Sequence, residues 1–318
     1  MEKFGWCFIG TGSIANTVAK ELIKSDRSYI ESVYNRTEEK GINFTKKYGG
    51  KYYNDPIKAM DSDKVSAVYI SLTNDLHFEY ALKAINLKKN VLLEKPFTIN
   101  EKETIGLIEA AKKNGVYICE AMWTWFNDTA IKTKELIKEI GDIKQAKISF
   151  GFPIKSLSKK GRLWDIEKGG GALLDLGVYP IRYAYELFGI PKNIKVSSKI
   201  YKGIDTSDSL IFEYDGFNCE IKISITSILS EVALVKGDKG EIKVPWFHCA
   251  HKVIHKANET KVYKDNSLLY GKQFTRVEDE ILSGKKESSY VSLKSTLDIM
   301  RIMDEIRKQI GVIYIQDK

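Results

Sequence analysis

The stretch Phe-Gly-Trp-Cys-Phe-Ile-Gly-Thr-Gly-Ser-Ile-Ala at residues 4–15 decides the fold, because it joins an apolar strand, a glycine turn and a helix start. Gly10 permits a tight exit from the strand, Gly12 lets a pyrophosphate approach the backbone, and Ala15 keeps the helix close to the sheet. The first N–H groups of that helix and its positive dipole end favour phosphate binding. The turn therefore predicts a dinucleotide site, and its predicted cofactor-binding residues are Gly10, Thr11, Gly12, Ser13 and Ile14.

Apolar runs alternate with helical patterns along the first part of the chain, and each run is short enough to be one buried strand. The runs are residues 4–9, 30–34, 67–72, 90–93 and 116–119, and the helical patterns include 75–88 and 100–114. A parallel sheet covered by helices on both faces has this pattern. Because crossovers between parallel strands are right-handed, we predict a doubly wound Rossmann sheet. Residues 1–121 are the predicted dinucleotide-binding domain.

The pattern changes after residue 121 to an alternation of apolar and polar side chains. It is unbroken at 146–152 and 217–226, looser at 194–200 and 208–214, and interrupted by turn signals at 215–216 and 237–240. Strands of this kind have one packed and one polar face, which predicts an open and predominantly antiparallel sheet. We assign 122–318 to a second α/β domain, with a covering helix at 171–188 and a last helix at 293–310.

The overall composition is that of a globular protein, with 43% hydrophobic residues, 29% charged residues and a net charge of +8. Lysines alternate with acidic residues, as in 132–139, which indicates solvated helix faces with local ion pairs. We therefore expect no nucleic-acid partner. No apolar run approaches the ~20 residues that a membrane helix needs. The first strand starts almost at Met1, so we also expect no signal peptide.

Cysteine and histidine positions give no sign of a disulfide framework or a metal site. The cysteines are scattered and form no Cys-Xaa-Xaa-Cys pair; they are Cys7, Cys119, Cys219 and Cys249. This usage is typical of reduced thiols, so we expect a cytoplasmic protein. His248-Cys-Ala-His251 with His255 lacks the second well-spaced ligand pair of a zinc site, and we expect no metal.

The end of the second predicted strand bears on the choice of cofactor. Asn35-Arg36-Thr37 stands there, about 20 residues after the glycine turn, where NAD-specific sites place a carboxylate for the ribose 2′-hydroxyl. This segment has no carboxylate. Arg36 can pair with a 2′-phosphate and stack on adenine, and Thr37 can donate a hydroxyl. Unless Arg36 is simply a surface arginine in a loop, the segment favours NADP(H), with NAD(H) still possible.

Glu94-Lys95-Pro96 follows the apolar run 90–93, so Lys95 emerges at the carboxyl end of a parallel strand. Ligands of open α/β sheets bind at this edge. A partly desolvated lysine next to a cofactor can polarise or protonate a carbonyl oxygen. Pro96 restrains the backbone of Lys95 toward extended geometry. An isolated lysine at a strand end would more simply be a surface residue, so Lys95 needs support from other motifs.

That support comes from a set of motifs that occur in order along essentially the whole chain. They are Gly10-Thr-Gly12 with Ala15, Thr73-Asn-Asp-Leu-His77, Glu94-Lys-Pro96, Glu120-Ala-Met-Trp-Thr124 and Gly169-Gly-Gly-Ala-Leu-Leu-Asp-Leu-Gly-Val-Tyr179. Together they resemble the Gfo/Idh/MocA oxidoreductase family. The Glu-Ala-Met-Trp and Gly-Gly-Gly-Ala strings are specific to its dimeric dihydrodiol dehydrogenase branch. This chain departs from the family pattern at Thr73, where relatives usually have proline.

The resemblance implies roles for individual side chains. Lys95 corresponds to the catalytic lysine, Tyr179 to the proton donor or acceptor, in a place where many relatives use histidine, and Asp175 to its acidic partner. A neighbouring ammonium favours the phenolate form of tyrosine. Further residues expected at the cofactor are Leu72, Asn74, His77 and Glu94. The residues alone leave simpler alternatives open: Asp175 could cap a helix, Tyr179 could pack in the core, and His77 could be a structural helix-start residue.

The substrate side of the site is expected to be aromatic and basic. The resemblance implies that Trp123, Trp125 and Phe126 border the substrate, although the branch commonly has arginine in place of Trp125. Two further candidates are Arg162 and Trp164. They lie in a basic stretch with Lys155, Lys159 and Lys160, which either closes over the site or is a solvated loop.

The second sheet is also the expected dimer interface. Phe217, Cys219, Ile221, Ile223 and Ile225 form the face that helix 171–188 covers. The opposite face carries Glu220, Lys222, Ser224 and Thr226. In the resembling family this face meets its twofold mate, which implies a homodimer; the alternative is a solvated face.

The sequence therefore predicts an NADP(H)-dependent oxidoreductase that acts on a sugar, cyclic polyol or dihydrodiol. The competing hypothesis is a redox sensor or regulator that binds the dinucleotide without turnover. Lys95, Asp175 and Tyr179 favour the enzyme, because a sensor has no need of proton-transfer groups.

Overall fold

A computed structural model describes residues 3–154, 157–267 and 269–318, with Leu269 described by its backbone alone. Lys155 of the basic stretch lies outside these residues. The chain divides into two compact units. Unit 1 contains residues 3–98, 102–123 and 269–296, and unit 2 contains residues 99–101, 124–267 and 297–318. In the described part of the chain, no helix is long and apolar enough to span a membrane.

The helices alternate with the strands throughout unit 1 and flank the sheet of unit 2. They are α1 (Ser13–Leu22), α2 (Glu38–Tyr48), α3 (Pro56–Met60), α4 (His77–Asn86), α5 (Glu101–Asn114), α6 (Asp128–Leu136), α7 (Val178–Phe188), α8 (Leu269–Leu282) and α9 (Leu293–Ile310). The bounds of α9 agree with the helix predicted at 293–310.

Unit 1 is built on a six-stranded sheet in which every neighbouring pair is parallel. The strands are β1 (Phe4–Ile9), β2 (Ser28–Tyr34), β3 (Lys51–Tyr53), β4 (Ala67–Ile70), β5 (Asn90–Glu94) and β6 (Ile118–Ala121), in the order β3-β2-β1-β4-β5-β6. All residues of β1 and β4 are buried, as expected of central strands between two helix layers. The predicted Rossmann sheet is confirmed; the short strand β3 has too few apolar residues for the sequence to show it.

Helix α8 belongs to unit 1, whereas the sequence analysis placed it in the second domain. The ring of Phe274 packs 4.7 Å from the ring of Trp6 and 5.3 Å from that of Tyr69. The indole N–H of Trp6 donates to Glu278, 2.9 Å away. These contacts join residues more than 200 positions apart, which no periodicity can indicate. The first unit therefore takes part of its core from residues 269–296.

Replacing Tyr117 by Phe tests this long-range connection. The buried Tyr117 hydroxyl donates to Glu280 Oε2 at 2.8 Å, so its removal takes a donor away from a buried carboxylate. We expect the free energy of unfolding to fall by about 1–2 kcal/mol, measured by urea denaturation. Tyr53→Phe is the matched control, since no hydrogen bond joins that hydroxyl to the described residues, and should change stability by less than about 0.5 kcal/mol. Equal effects of the two variants would contradict the prediction.

Unit 2 contains an eight-stranded sheet, antiparallel except for the pair β7–β10. Its strands are β7 (Ile143–Gly151), β8 (Asn193–Tyr201), β9 (Ile204–Tyr214), β10 (Phe217–Ser224), β11 (Val232–Gly237), β12 (Glu241–Pro245), β13 (Lys252–Lys256) and β14 (Thr260–Lys264), in the order β14-β13-β12-β11-β7-β10-β9-β8. This confirms the predicted open, predominantly antiparallel sheet.

One face of this sheet is packed and the other is polar. Cys219, Ile221 and Ile223 are buried, and the segment before α7 approaches so closely that a Cβ at Gly177 would lie 2.9 Å from Ile223 Cδ1. On the opposite face Lys222 is exposed. The alternation therefore divides the sheet as predicted around Lys222, with the covering segment on the apolar side. Ser224, predicted on the polar face, is buried instead, because it is hydrogen-bonded among Ser207 and Thr226.

The covering helix is not a regular α-helix over 171–188. Residues Leu173–Gly177 form a π-helical turn, and the α-helix proper starts at Val178. Pro180 explains the change, because it has no N–H for the Leu176 carbonyl and its ring would collide with that group in a regular helix. Single π turns are common at functional sites, and this one contains Asp175.

Candidate active site

The glycine turn after β1 requires glycine at its first position. Gly10 has φ +102°, and a Cβ there would lie 2.9 Å from the Ser71 carbonyl oxygen. The Gly10 N–H donates to the Tyr34 carbonyl at 2.9 Å. The chain can therefore leave β1 between the ends of two neighbouring strands only because no side chain is present.

The second glycine opens space at the start of α1. A Cβ at Gly12 would meet no atom within 4 Å, and no side chain caps the N–H groups of Ser13 and Ile14 at the helix start. The buried Thr11 hydroxyl has no hydrogen-bond partner among the described residues. Free N–H groups, an orphaned hydroxyl and open space together form a cradle for an anion. The pyrophosphate of a dinucleotide fits this cradle.

The segment after β2 presents its arginine to solvent. Arg36 and Thr37 are exposed, and Arg36 forms no ion pair with the described residues. The Asn35 side-chain amide donates to the Thr37 carbonyl at 2.9 Å, which shapes the turn into α2. An exposed guanidinium with no carboxylate to neutralise it is suited to a phosphate.

Lys95 lies half-buried just after β5, and the backbone around it is held by two buried carboxylates. Glu94 accepts a hydrogen bond from the Tyr69 hydroxyl at 2.6 Å and from the Lys95 N–H at 3.2 Å. Glu120 at the end of β6 accepts from the Phe97 N–H at 3.2 Å. These contacts fix the direction in which the chain leaves the strand. Sequence periodicity alone does not reveal this role of Glu120, although a glutamate within a fully buried strand is a signal of a hydrogen-bonded carboxylate.

His77 ties together two of the loops at this edge of the sheet. Its ring is fully buried, with Nδ1 2.8 Å from the Pro96 carbonyl oxygen and Nε2 3.3 Å from that of Leu72. Asn74, in the same loop, is also buried. The structure thus brings Leu72, His77 and the turn after Lys95 together. His77 lies at the start of α4, and its contact with the cofactor stays a prediction.

In unit 2 the acidic candidate is paired with the basic one. Asp175 is buried in the π-helical turn, and its Oδ1 lies 2.8 Å from Nη2 of the half-exposed Arg162. A charged hydrogen bond of this length holds the carboxylate in one orientation. Arg162 therefore belongs to the cluster around Asp175. That the basic stretch closes over the site stays a prediction.

Tyr179 lies in an aromatic cluster that the sequence did not reveal. Its ring meets Phe150 edge-on at 5.7 Å and His248 edge-on at 5.7 Å. His248 in turn stacks on Phe150 at 4.4 Å, and its Nδ1 lies 3.1 Å from Glu231 Oε2. The contact is an ion pair when the imidazole is protonated. Burial raises the pKa of Glu231.

The other aromatic candidates have separate packing partners. Trp123 stacks on Tyr270 at 4.5 Å, and Trp125 packs against Tyr183 at 5.2 Å. Phe126 is fully buried. Trp164 donates its indole N–H to the Ile154 carbonyl at 3.0 Å. Contact of these four side chains with substrate stays a prediction.

The histidines of the 248–255 segment have separate contacts. His251 Nδ1 lies 3.0 Å from the Asp265 carbonyl oxygen, and the buried His255 lies 3.8 Å from Glu139. Within the described ranges, no group of three or more potential ligands is placed to hold a metal ion.

A Rossmann sheet with an open phosphate cradle at the carboxyl ends of its strands defines the class of dinucleotide-binding proteins. The chain belongs to the GFO/IDH/MocA oxidoreductase family. Residues 4–121 match the family's domain described as oxidoreductase family, NAD-binding Rossmann fold, and residues 131–243 match its GFO/IDH/MocA C-terminal domain. The resemblance inferred from the motifs is therefore confirmed.

Named relatives and solved structures agree with this assignment. The chain is 29% identical to scyllo-inositol 2-dehydrogenase (NADP(+)) of Bacillus subtilis, with 98% of this chain and 99% of the relative covered. It is 32% identical to trans-1,2-dihydrobenzene-1,2-diol dehydrogenase of Xenopus laevis, with 97% and 98% covered. A 3-ketoreductase from Actinomadura kijaniata, in complex with NADP and TDP-benzene, shares the fold, with a TM-score of 0.86, 20% identity, and 96% and 98% of the chains covered.

Proposed function

We propose that this oxidoreductase uses NADP(H) and moves hydride to or from a hydroxyl-bearing carbon of a sugar, cyclic polyol or dihydrodiol. The observation that carries the proposal is the edge of the unit 1 sheet, where buried carboxylates hold the backbone around Lys95 beside an open phosphate cradle. The inositol and dihydrodiol dehydrogenases among its relatives support this substrate class.

The residues of the cradle fit the cofactor. The N–H groups at the start of α1 and the orphaned Thr11 hydroxyl would hold the pyrophosphate, and Arg36 with Thr37 would hold the 2′-phosphate. His77 and Asn74 shape the loop next to Lys95. When bound, the nicotinamide supplies or accepts the hydride.

The chain's own groups would manage the proton. In oxidation, the Tyr179 phenolate would take the proton of the substrate hydroxyl and become a neutral phenol, and the Lys95 ammonium would stabilise the phenolate before that transfer. Asp175, held by Arg162, orients the substrate. In reduction the same groups return the proton to the carbonyl oxygen.

Turnover is tested by following NADPH absorbance against a panel of sugars, inositols, diketones and dihydrodiols. We expect saturable oxidation or reduction with at least one polyol or dihydrodiol. Tight NADPH binding without turnover on any member would instead support the redox-sensor alternative.

We propose further that the polar face of the unit 2 sheet joins two chains into a homodimer. Ile211, across from Glu220 in the β9–β10 pair, is exposed on this face, and the Glu220 carboxylate lies 3.2 Å from Lys147 Nζ. An exposed isoleucine among charges that are already paired suits a self-complementary interface.

Light scattering at micromolar concentration tests the dimer, for which we expect a mass of about twice 36.2 kDa. Ile211→Asp should shift the mass toward the monomer, because two carboxylates would then be brought together across the twofold axis. Asp215→Ala, at the exposed β9–β10 turn, is the control and should leave the mass unchanged. A monomeric unmodified protein would mean that the face is solvated.

A cytoplasmic location is proposed from the state of the thiols. All four cysteines are free, and three of them are buried. Burial raises the pKa of Cys7 to about 12 and that of Cys249 to about 11, so both remain protonated thiols near neutral pH. Such cysteines suit a reducing compartment.

A further inference from the structure

Two buried aspartates in unit 2 stand outside the chemistry proposed so far. Asp205 and Asp208 are almost fully buried on β9. Residues three apart on a regular strand face opposite sides of the sheet. Here Lys199 pairs with Ser207 and Ile200 with Asp205, so Thr206 is an extra residue in the ladder. This β-bulge turns the two carboxyl groups to the same side.

Each carboxyl group has one satisfied and one unsatisfied oxygen. Asp205 Oδ2 accepts from the Leu173 N–H at 2.6 Å, and Asp208 Oδ1 accepts from the Ser198 hydroxyl. Asp205 Oδ1 and Asp208 Oδ2 are buried without a donor among the described residues, while the two carboxyl groups contact each other. A single proton placed between them satisfies both oxygens and removes the repulsion of two buried charges.

The pair lies directly under the start of the helix that carries the proposed catalytic groups. Gly171 has φ +122°, and a Cβ there would lie 2.3 Å from Asp205 Oδ1. The Tyr314 hydroxyl donates to the Gly170 carbonyl at 2.5 Å. Asp205 thus caps the first N–H groups of the helix from a neighbouring strand, and the glycine turn is held from both sides.

We propose that Asp205 and Asp208 share one proton and act together as positioning residues, fixing the turn and helix start from which Asp175 and Tyr179 project. The proposal rests on the proposed function for its effect on activity. The shared proton is measured through the pH dependence of Tm, and the fixing of the helix start through hydrogen exchange. Neither measurement depends on turnover.

The surroundings of the pair favour the shared proton. β8 contributes the neutral Ser198 hydroxyl, and the glycine turn contributes only backbone groups. The C-terminal segment contributes the buried Tyr314, with Arg307 and Asp317 next to it and paired with each other at 2.5 Å. The nearby cation is therefore already neutralised. Burial raises the pKa of Asp205, and burial together with its neighbour raises that of Asp208 well above the usual range.

The shared proton makes stability depend on pH in a defined direction. Near neutral pH the folded protein keeps a proton that ordinary aspartates, with pKa about 3.9, release in the unfolded chain. Because the folded state binds more protons, the stability contributed by this pair falls as pH rises above about 4 toward the raised pKa. Asp208→Asn supplies the donor permanently. Between about pH 5 and about pH 9, the Tm of this variant should therefore fall less than the Tm of the unmodified protein.

Three variants at neutral pH separate positioning from bulk stability. Asp205→Ala removes the cap, and we expect kcat to fall about tenfold with little change in the Kd of NADPH. Asp205→Asn should restore most of kcat, because its carbonyl can accept from the Leu173 N–H while its amide donates to Asp208. Asp215→Ala is the exposed control and should behave like the unmodified protein.

Hydrogen exchange of the peptide spanning 169–179 measures how firmly Asp205 holds this turn and helix start, and it needs no substrate. We expect faster exchange in Asp205→Ala and near-normal exchange in Asp205→Asn. Equal exchange in the two variants, or an unchanged pH dependence of Tm in Asp208→Asn, would overturn the proposal. Normal exchange and Tm results in a protein without turnover on any substrate would count against the proposed function alone. If Asp205→Ala does not fold, the two asparagine variants still decide the question through Tm and exchange.

Discussion

Lys95→Met and Tyr179→Phe are each expected to lower kcat by roughly 10²-fold or more, since general acid–base groups contribute on this scale. Both substitutions keep most of the side-chain volume and remove only the group that handles the proton. The Kd of NADPH should change little. Steady-state kinetics on the substrate found by screening, together with fluorescence titration of NADPH, measures the two effects separately.

The matched controls are Lys112→Met on the exposed side of α5 and Tyr53→Phe at the end of β3. Both should retain the unmodified rate. If Lys95→Met and Tyr179→Phe turned over as fast as these controls, the catalytic assignment would be wrong. A loss of NADPH affinity instead of rate would show that Lys95 serves mainly to bind the cofactor.

The second large effect is expected at Arg36, which should make NADPH bind more tightly than NADH. A charged hydrogen bond to phosphate contributes on the order of 1.5–3 kcal/mol, which corresponds to about a 10- to 150-fold preference. Arg36→Ala should remove most of that preference by weakening NADPH binding while the Kd of NADH stays nearly constant.

Lys46→Ala, on the exposed side of α2, is the control for a general loss of positive charge. It should weaken NADPH binding only slightly, and less at high salt. Equal Kd values for the two cofactors in the unmodified protein would contradict the proposal that Arg36 binds the 2′-phosphate. An unchanged preference in Arg36→Ala would move the discrimination to another group.

The local sequence was sufficient to predict those parts of the structure that depend on residues close together in the chain. The strand, glycine turn and helix of residues 4–22 follow from backbone conformation and periodicity alone. The sheet of unit 2 follows from alternation, since a polar and an apolar face arise from period two. For Lys95, its position after an apolar run predicted its place directly after β5, at the carboxyl end of that strand.

Features that depend on distant residues could not be predicted in this way. The cluster around Tyr179 combines residues 150, 179, 231 and 248 from separate elements. Glu120 and His77 hold the turn after Lys95 through contacts that become visible only when the parallel strands stand side by side. The π turn at Asp175 had a local cause in Pro180, but a period of 3.6 does not distinguish it from a regular helix.

The return of α8 to unit 1 has a consequence for folding during synthesis. The rings of Trp6 and Tyr69 leave the ribosome long before Phe274, with which they pack. Until about residue 282 has been made, the nascent N-terminal sheet lacks part of its cover and exposes apolar surface on which chaperones act. Unit 2 is complete in sequence up to β14 by then. Vectorial synthesis therefore favours early folding of the unit 2 sheet and delays closure of the nucleotide-binding unit.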